Sequence, residues 1–298
     1  MLINTESLDE GDLKFSSADR WIRSRFNNAT TDMQKHLTNY RLDLALQSAY
    51  EFTWHEFCDW YLELSKPILQ SDNIPDAEKR GTRKTLIEVL EATLRLLHPL
   101  MPFITEEIWQ TVALRANLEG ETIMLRPFPK ALSEAADDKA VEDIEWVKQF
   151  ILGVRQIRGE MDISPGKLLP VILQDASATD LSRIKSQELL LERVGRVESV
   201  TSLKDEKPPA AATAFLGDMR MLVPMKGLID IKTERARLKK QREKINLDLQ
   251  RSAGKLNNKK FINNAPAQII AQEQQRVIEF ERVIKQLTEQ LEKLNELT

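Results

Sequence analysis

The sequence predicts a mainly α protein in three parts: a helical bundle, a small α+β unit and an antiparallel coiled-coil hairpin. Three observations predict it. Apolar residues recur at helical spacing through residues 16–118. The pattern then changes to short apolar runs of strand length between 168 and 223. From Leu228 onward, two stretches carry seven-residue apolar repeats separated by a polar connector. A length of 298 residues suits two or three domains of about 100–200 residues each. The chain is 42% hydrophobic and 30% charged, which fits a globular protein with long exposed helices, and only 10 Gly and 3 Tyr argue against a turn-rich all-β fold. The single cysteine, Cys58, excludes an intramolecular disulfide, and without a signal-peptide pattern a cytoplasmic location is expected. No apolar run reaches the roughly 18–20 residues of a membrane span, so no membrane partner is expected.

The elements follow in order. Residues 1–15 read as a leader. Ser16-Ser17-Ala18-Asp19 supplies N-cap chemistry, and Trp21, Ile22, Arg25, Phe26, Ala29, Met33, Leu37 and Tyr40 then mark a first helix. A second runs from Leu42 to Ser65 with Phe52, Trp54, Phe57, Trp60 and Tyr61 forming an aromatic core seam, and Pro67 closes it. Pro75-Asp76-Ala77-Glu78 opens a third, ending at His98-Pro99. Thr105 is expected to cap the next helix, with Glu106 and Glu107 favourably placed against its dipole and Ile104 and Trp109 as a hydrophobic staple. These give a four- or five-helix bundle assigned to residues 16–130, and residues 119–137 read as a linker. Residues 131–225 form the α+β unit. In it, Ile144, Val147, Ile151, Val154 and Ile157 face inward from a helix. Strands are expected at 168–173, where Pro170 favours an edge, at 197–203 and at 219–223, with a helix over 181–191 and an exposed loop at Lys207-Pro208-Pro209-Ala210.

Residues 226–298 form the arm. Ile231, Leu238, Ile245 and Ser252 repeat every seven, as do Leu228, Arg235, Arg242, Leu249 and Leu256. The second leg repeats Ile270, Val277, Ile284 and Leu291, and Glu273, Phe280, Leu287 and Leu294. The connector is short enough to force the legs antiparallel, with Pro266 in a first helical turn; legs of some 30 residues make a rod roughly 45 Å long. Because each leg satisfies the other's seam, a monomer is expected.

Charge is distributed unevenly. From Lys226 to Lys260 twelve basic residues face four acids, a net +8, and the rest of a chain whose total is −3 carries −11. Arg237, Lys240, Lys244, Arg251 and Lys255 fall on the side away from the seam and form an outward basic stripe. From charge alone, a solvated coiled-coil face and a grip for a polyanion are equal readings. Arg20, Arg23 and Arg25 make a smaller basic group at the start of the first helix, for which solvated helix charge is the plainer account. The three histidines, His36, His55 and His98, are far apart; His98 reads as a helix-end residue and Cys58 as a core thiol. No metal-ligand spacing, Gly-rich phosphate loop or paired carboxylates stand out, so the residues point to binding and not to catalysis.

One stretch is specific. Leu97-His98-Pro99-Leu100-Met101-Pro102-Phe103-Ile104-Thr105-Glu106-Glu107-Ile108-Trp109 resembles the hallmark of the helical anticodon-binding domain of class I aminoacyl-tRNA synthetases for Val, Ile and Leu. The run from Phe52 to Glu63 and Ala18-Asp19-Arg20-Trp21-Ile22 fit the same domain. Val223-Pro224-Met225-Lys226-Gly227-Leu228-Ile229-Asp230, Lys255-Leu256-Asn257-Asn258-Lys259-Lys260-Phe261 and Ala265-Pro266 narrow the resemblance to bacterial valyl-tRNA synthetases; isoleucyl enzymes usually end in a zinc-binding segment, and this chain has one cysteine.

The resemblance implies a division of labour. The bundle would bind the anticodon stem and loop, the α+β unit would brace bundle and arm, and the arm would lie on the outer corner of the L-shaped tRNA for valine. The family's His-x-Gly-His and Lys-Met-Ser-Lys-Ser type signatures are absent from the 298 residues, as are the nucleotide-binding fold and the editing domain. The chain is therefore expected to be the tRNA-binding C-terminal portion, to be inactive alone, and to have the catalytic and editing domains of the whole synthetase as partners. It should need no cofactor of its own, since ATP and Mg would belong to the catalytic domain. The expected phosphate contacts are Arg20, Arg23, Arg25, Arg237, Lys240, Lys244, Arg251 and Lys255. The competing expectation is a structural or interaction protein whose coiled coil pairs with another chain or binds RNA generically.

Overall fold

The computed structural model describes residues 11–131, 136–203, 209, 211–224, 231–257 and 267–296; side chains at 231–238, 241, 267, 268, 286 and 289–296 lie outside the description. The expected loop at 207–210 and Pro266 fall largely or wholly outside it. The chain divides into two compact units, residues 1–204 with 213–222, and residues 205–212 with 223–298.

In the first unit, α1 (Ser17–Thr38) begins where the cap chemistry placed it. Ser16 Oγ accepts from the Asp19 amide, and the Asp19 carboxylate accepts from the Ser16 amide in return. Trp21, Ile22, Ala29 and Met33 are buried on the expected face. Tyr40 is not: the helix ends at Thr38 and Tyr40 adopts φ 55°, which turns its ring outward. Asp19 is the hub of the core. Buried, it accepts from Tyr61 Oη at 2.6 Å and Thr82 Oγ1 at 2.8 Å as well as from Ser16, tying three helical segments together. Burial raises its pKa against those hydrogen bonds.

The second helical run is α2 (Leu42–Glu51), a ten-residue π-helical segment (Phe52–Tyr61) and α3 (Leu62–Gln70). The i→i+5 winding changes which aromatics face inward. Phe52, Phe57 and Tyr61 are buried, Trp60 and Cys58 are half-buried, and Trp54 faces solvent. An α-helical count groups Trp54, Phe57, Trp60 and Tyr61 and leaves Phe52 aside; the wider winding instead gathers Phe52, Phe57 and Tyr61 and turns Trp54 away. Pro67 does not stop the run. It lies buried inside α3, where burial of Leu64, Pro67 and Ile68 offsets the one backbone bond that proline forfeits.

Helix α4 (Asp76–Leu97) follows Pro75 as expected. Gly81 is required on it, because a Cβ there would sit 2.0 Å from the Lys14 carbonyl oxygen where residues 11–15 cross α4; Lys14 N–H donates to the Ala77 carbonyl beside it. Helix α5 (Pro102–Arg115) starts three residues before the expected cap. Pro102 takes the first helical position, which needs no N–H, and Thr105 sits buried inside the first turn. The staple does not form, since Trp109 is buried and Ile104 exposed.

Helix α6 (Asp138–Glu160) buries Ile144, Val147, Ile151, Val154 and Ile157, and also Trp146 and Phe150. It packs on α1, with Trp21 Nε1 donating to Glu145 Oε1 at 3.2 Å and the Asp137 amide to Ser24 Oγ at 2.9 Å. The four-stranded sheet has the order β2-β1-β4-β3. Strand β1 (Leu169–Gln174) is central, parallel to β2 (Val197–Ser202) and antiparallel to β4 (Met219–Pro224), so the edge expectation is corrected. Pro170 is tolerated because the β1–β2 register slips at Leu169/Pro170 and the β4 pairing begins only at Ile172. Strand β3 (Ala211–Leu216) was hidden in the sequence by its short Ala-rich run; Gly217, at φ 58°, and Asp218 join it to β4. The helix expected at 181–191 is two, α7 (Ala178–Ser186) and α8 (Glu188–Arg193), broken at Gln187, whose buried side chain bonds Ser17 Oγ.

The second unit contains the arm helices Ile231–Asn257 and Ala267–Glu296, packed on each other. Every heptad position expected in the seam and described here is buried or half-buried, with Ser252, Glu273 and Leu287 most deeply covered.

Candidate nucleic-acid interface

On the arm, Lys240, Lys244 and Arg251 are exposed, and neither Lys240 nor Lys244 has an ion-pair partner among the described residues. Arg251 pairs with Asp248 of its own helix at 3.4 Å, a contact of little strength at such exposure. Arg237 lies on the same helix, but its side chain is outside the description. Lys255 differs from the others. Its Nζ reaches Glu273 Oε1 at 3.0 Å on the second arm helix, where Arg276 also donates at 3.0 Å. Hydrogen bonding from Lys255 holds the Glu273 carboxyl below its ordinary range. Lys255 therefore flanks the seam instead of lying opposite it, because a long side chain beside a seam carboxylate turns inward.

The three bundle arginines are each engaged within the fold. Arg20 donates to Asp137 Oδ2 and to the Phe15 carbonyl, both at 2.8 Å. Arg23 donates to Thr85 Oγ1 at 3.1 Å and Glu88 Oε2 at 2.6 Å, and its guanidinium lies 4.6 Å from the Phe15 ring centroid. Arg25 grips Glu56 with both arms of its fork, at 2.6 and 2.5 Å, which raises the Arg25 pKa. These partners lie on α4, on the π segment and before α6, each more than thirty positions away along the chain.

The residues from Leu97 to Trp109 build one turn of the bundle. Leu97 is buried in a cluster with Met33, Ala45, Ala49 and Leu96, against which Leu37 and Leu100 also pack. Thr105 Oγ1 donates to the Met101 carbonyl at 2.8 Å, so the His98 Nδ1 that lies 2.8 Å from that oxygen is the donor to it. Trp109 Nε1 donates to the buried Glu91 at 3.0 Å, and Glu106 accepts from Thr122 Oγ1 and the Ile123 amide, fastening the loop around the short 3-10 turn Ile123–Leu125. The aromatic left outside is Phe103, 91% exposed. Tyr40, also 91% exposed, leaves the α1–α2 turn next to the same core cluster. Leu42, Leu46 and Tyr50 on α2 and Trp54 in the π segment continue an exposed apolar line at four-residue spacing. Sequence reasoning missed this surface because it counted Tyr40 and Trp54 inward; the pattern of residues at 42, 46, 50 and 54 is the signal that could have found it.

Comparison with known proteins decides what this architecture is. A family model described as the anticodon-binding domain of tRNA ligase matches residues 19–173. The chain belongs to this family. A second model, described as the valyl tRNA synthetase tRNA binding arm, matches residues 230–295, so the anticodon-binding domain and the arm stand in one chain. A valine–tRNA ligase of Legionella pneumophila (strain Lens) is 45% identical over 282 residues, covering 93% of this chain and 31% of the relative. The chain thus spans about a third of the length of the curated relative it matches. Among the described residues, no cluster of His, Cys, Asp and Glu could hold a metal ion, and no helix is long and apolar enough to cross a membrane.

Proposed function

We propose that this chain is the tRNA-gripping portion of a valine–tRNA ligase and binds the tRNA for valine at two places. The observation that carries the reading is the joint occurrence of the anticodon-binding domain and the valyl-type arm over 19–173 and 230–295. Aminoacylation, with its ATP and Mg, belongs to segments outside these residues. The working form is a cytoplasmic monomer at the level of this chain.

Each place has its own physics. On the arm, exposed cations such as Lys240, Lys244 and Arg251 neutralise backbone phosphates, a contact that is strong, salt-dependent and blind to sequence. At the bundle end, Tyr40 and Phe103 offer flat apolar faces to unstacked anticodon bases, which are read by stacking and by hydrogen bonds on their edges. Arg20, Arg23 and Arg25 hold that end in shape through their carboxylate pairs, and any phosphate contact they make must compete with Asp137, Glu88 and Glu56.

The test is a filter-binding competition at low salt between the tRNA for valine and other tRNAs. Preference for the valine tRNA is expected, and the preference should shrink in a Tyr40→Ala, Phe103→Ala variant that melts like the wild type. Equal binding of all tRNAs would leave only generic RNA binding.

A further inference from the structure

The first unit holds a basic cleft that neither the arm nor the bundle end accounts for. It has a volume of about 510 Å³ and lies where α3, α6 and the turn after α8 meet. Lys66, Arg155, Arg193 and Arg196 line it against one carboxylate, Glu63, which Lys66 already engages. Arg155, Arg193 and Arg196 are exposed, and among the described residues none of them has an ion-pair partner. This is the reverse of Arg20, Arg23 and Arg25, whose heads are all taken.

The cations are also positioned. Arg155 stacks on Trp60, with 5.3 Å from its guanidinium carbon to the ring centroid, which orders the head without neutralising it. Arg196 stands at φ 54°, a left-handed conformation that a long side chain rarely adopts. Its carbonyl is pinned by the Arg158 guanidinium at 2.9 Å and by the Leu169 amide at 3.1 Å, so the turn presents Arg196 to the cleft at the cost of backbone strain. Arg158, buried behind, donates only to carbonyls, and its pKa is lowered by burial and then by the charge of Arg196. The lining thus carries a net positive charge, with Glu63 its one carboxylate.

We propose that this cleft is a phosphodiester-binding site for RNA, distinct from the cations of the arm. The proposal rests on the reading of the chain as a tRNA binder. Guanidinium forks match phosphate oxygens bidentately, and the Gln70 and Ser71 side chains at the end of α3 add neutral donors to the same wall. The cations come from three elements around an open lip and no buried donor closes the cleft, so it suits a strand passing through and not an enclosed small anion.

The experiment uses the full chain, with Arg155, Arg193 and Arg196 changed together to Gln and, in a second variant, to Lys. Affinity for the tRNA for valine and for an unrelated structured RNA of equal length is measured against salt, with thermal melts as the folding control. The Gln variant should melt like the wild type, bind the tRNA on the order of 10-fold more weakly, and show a slope of log affinity against log salt shallower by about 2 to 3, at roughly 0.7–0.9 per phosphate lost. The Lys variant should restore the slope. Wild-type affinity and slope in the Gln variant, while the wild type prefers the tRNA, would overturn the site and leave the tRNA reading intact. Equal wild-type binding of both RNAs, weakened alike in the Gln variant, would sustain the site and remove the tRNA reading. No binding of either RNA by the wild type would remove both.

Discussion

The bundle and the arm use their cations in opposite ways. Arg20, Arg23 and Arg25 are spaced like a basic patch, yet each is held by a carboxylate from another part of the fold. Lys240 and Lys244 are spaced as a stripe and stay without ion-pair partners among the described residues. Each of these three arginines sits where a neighbouring segment carries an acid within reach, whereas Lys240 and Lys244 lie on the side of their helix away from the seam. A charge run therefore reports a binding surface only where the fold leaves it nothing else to bind. Lys255 proves the rule within the arm itself, because the one neighbouring helix offers Glu273 and Lys255 takes it.

The comparison can be broken most forcefully at Asp19. Asp19→Ala removes the acceptor for Tyr61, Thr82 and Ser16 and leaves their donors buried; a loss of at least about 3 kcal/mol in thermal or denaturant unfolding of the bundle is expected, from three orphaned groups at roughly 1–3 kcal/mol each. A loss below 1 kcal/mol would show that the bundle is not held as a closed network. On the arm, changing Lys240, Lys244 and Arg251 to Glu should weaken tRNA binding by on the order of 10- to 100-fold at low salt and flatten its salt dependence, with the bundle's melting temperature unchanged. Unaltered binding would mean that this face is only solvated.

Arg25→Gln sharpens the contrast from the other side. Its half-exposed pair with Glu56 predicts a stability loss of about 1 kcal/mol after solvent screening, and no change in RNA affinity beyond that of a destabilised bundle. A selective affinity loss at constant stability would restore Arg25 to the RNA surface. The smallest effect is expected from pH. Glu273 is held below the ordinary glutamate range by Lys255, so its contribution to the arm is complete above that range and lost as pH falls through the lower folded value. The arm's helical circular-dichroism signal should weaken on acidification more in the wild type than in Glu273→Gln, and identical titrations would dismiss the pair.

Much of the fold was legible because it is local. Ser16 with Asp19 announced the start of α1, the heptads announced the arm seam, and five residues at helical spacing from Ile144 to Ile157 announced α6. What was not legible arose from a change in winding or from contacts distant in sequence. The π turns moved Trp54 outward, a register slip let Pro170 sit in a central strand, and a left-handed residue turned Tyr40 into solvent. The candidate site divides the same way: the arm stripe could be counted from the chain, but the cleft of Arg155, Arg193 and Arg196 joins residues some forty positions apart whose proximity no periodicity encodes.

By itself, the sequence determined the starts of α1 and α4, the seam, the charge asymmetry and the family, because capping, periodicity and motifs depend on residues a few positions apart. The tertiary structure alone decided which cations are free. An ion pair depends on distance in space, and whether Arg23 meets Glu88 or Arg196 stays without an ion-pair partner among the described residues is settled only when helices and strands pack.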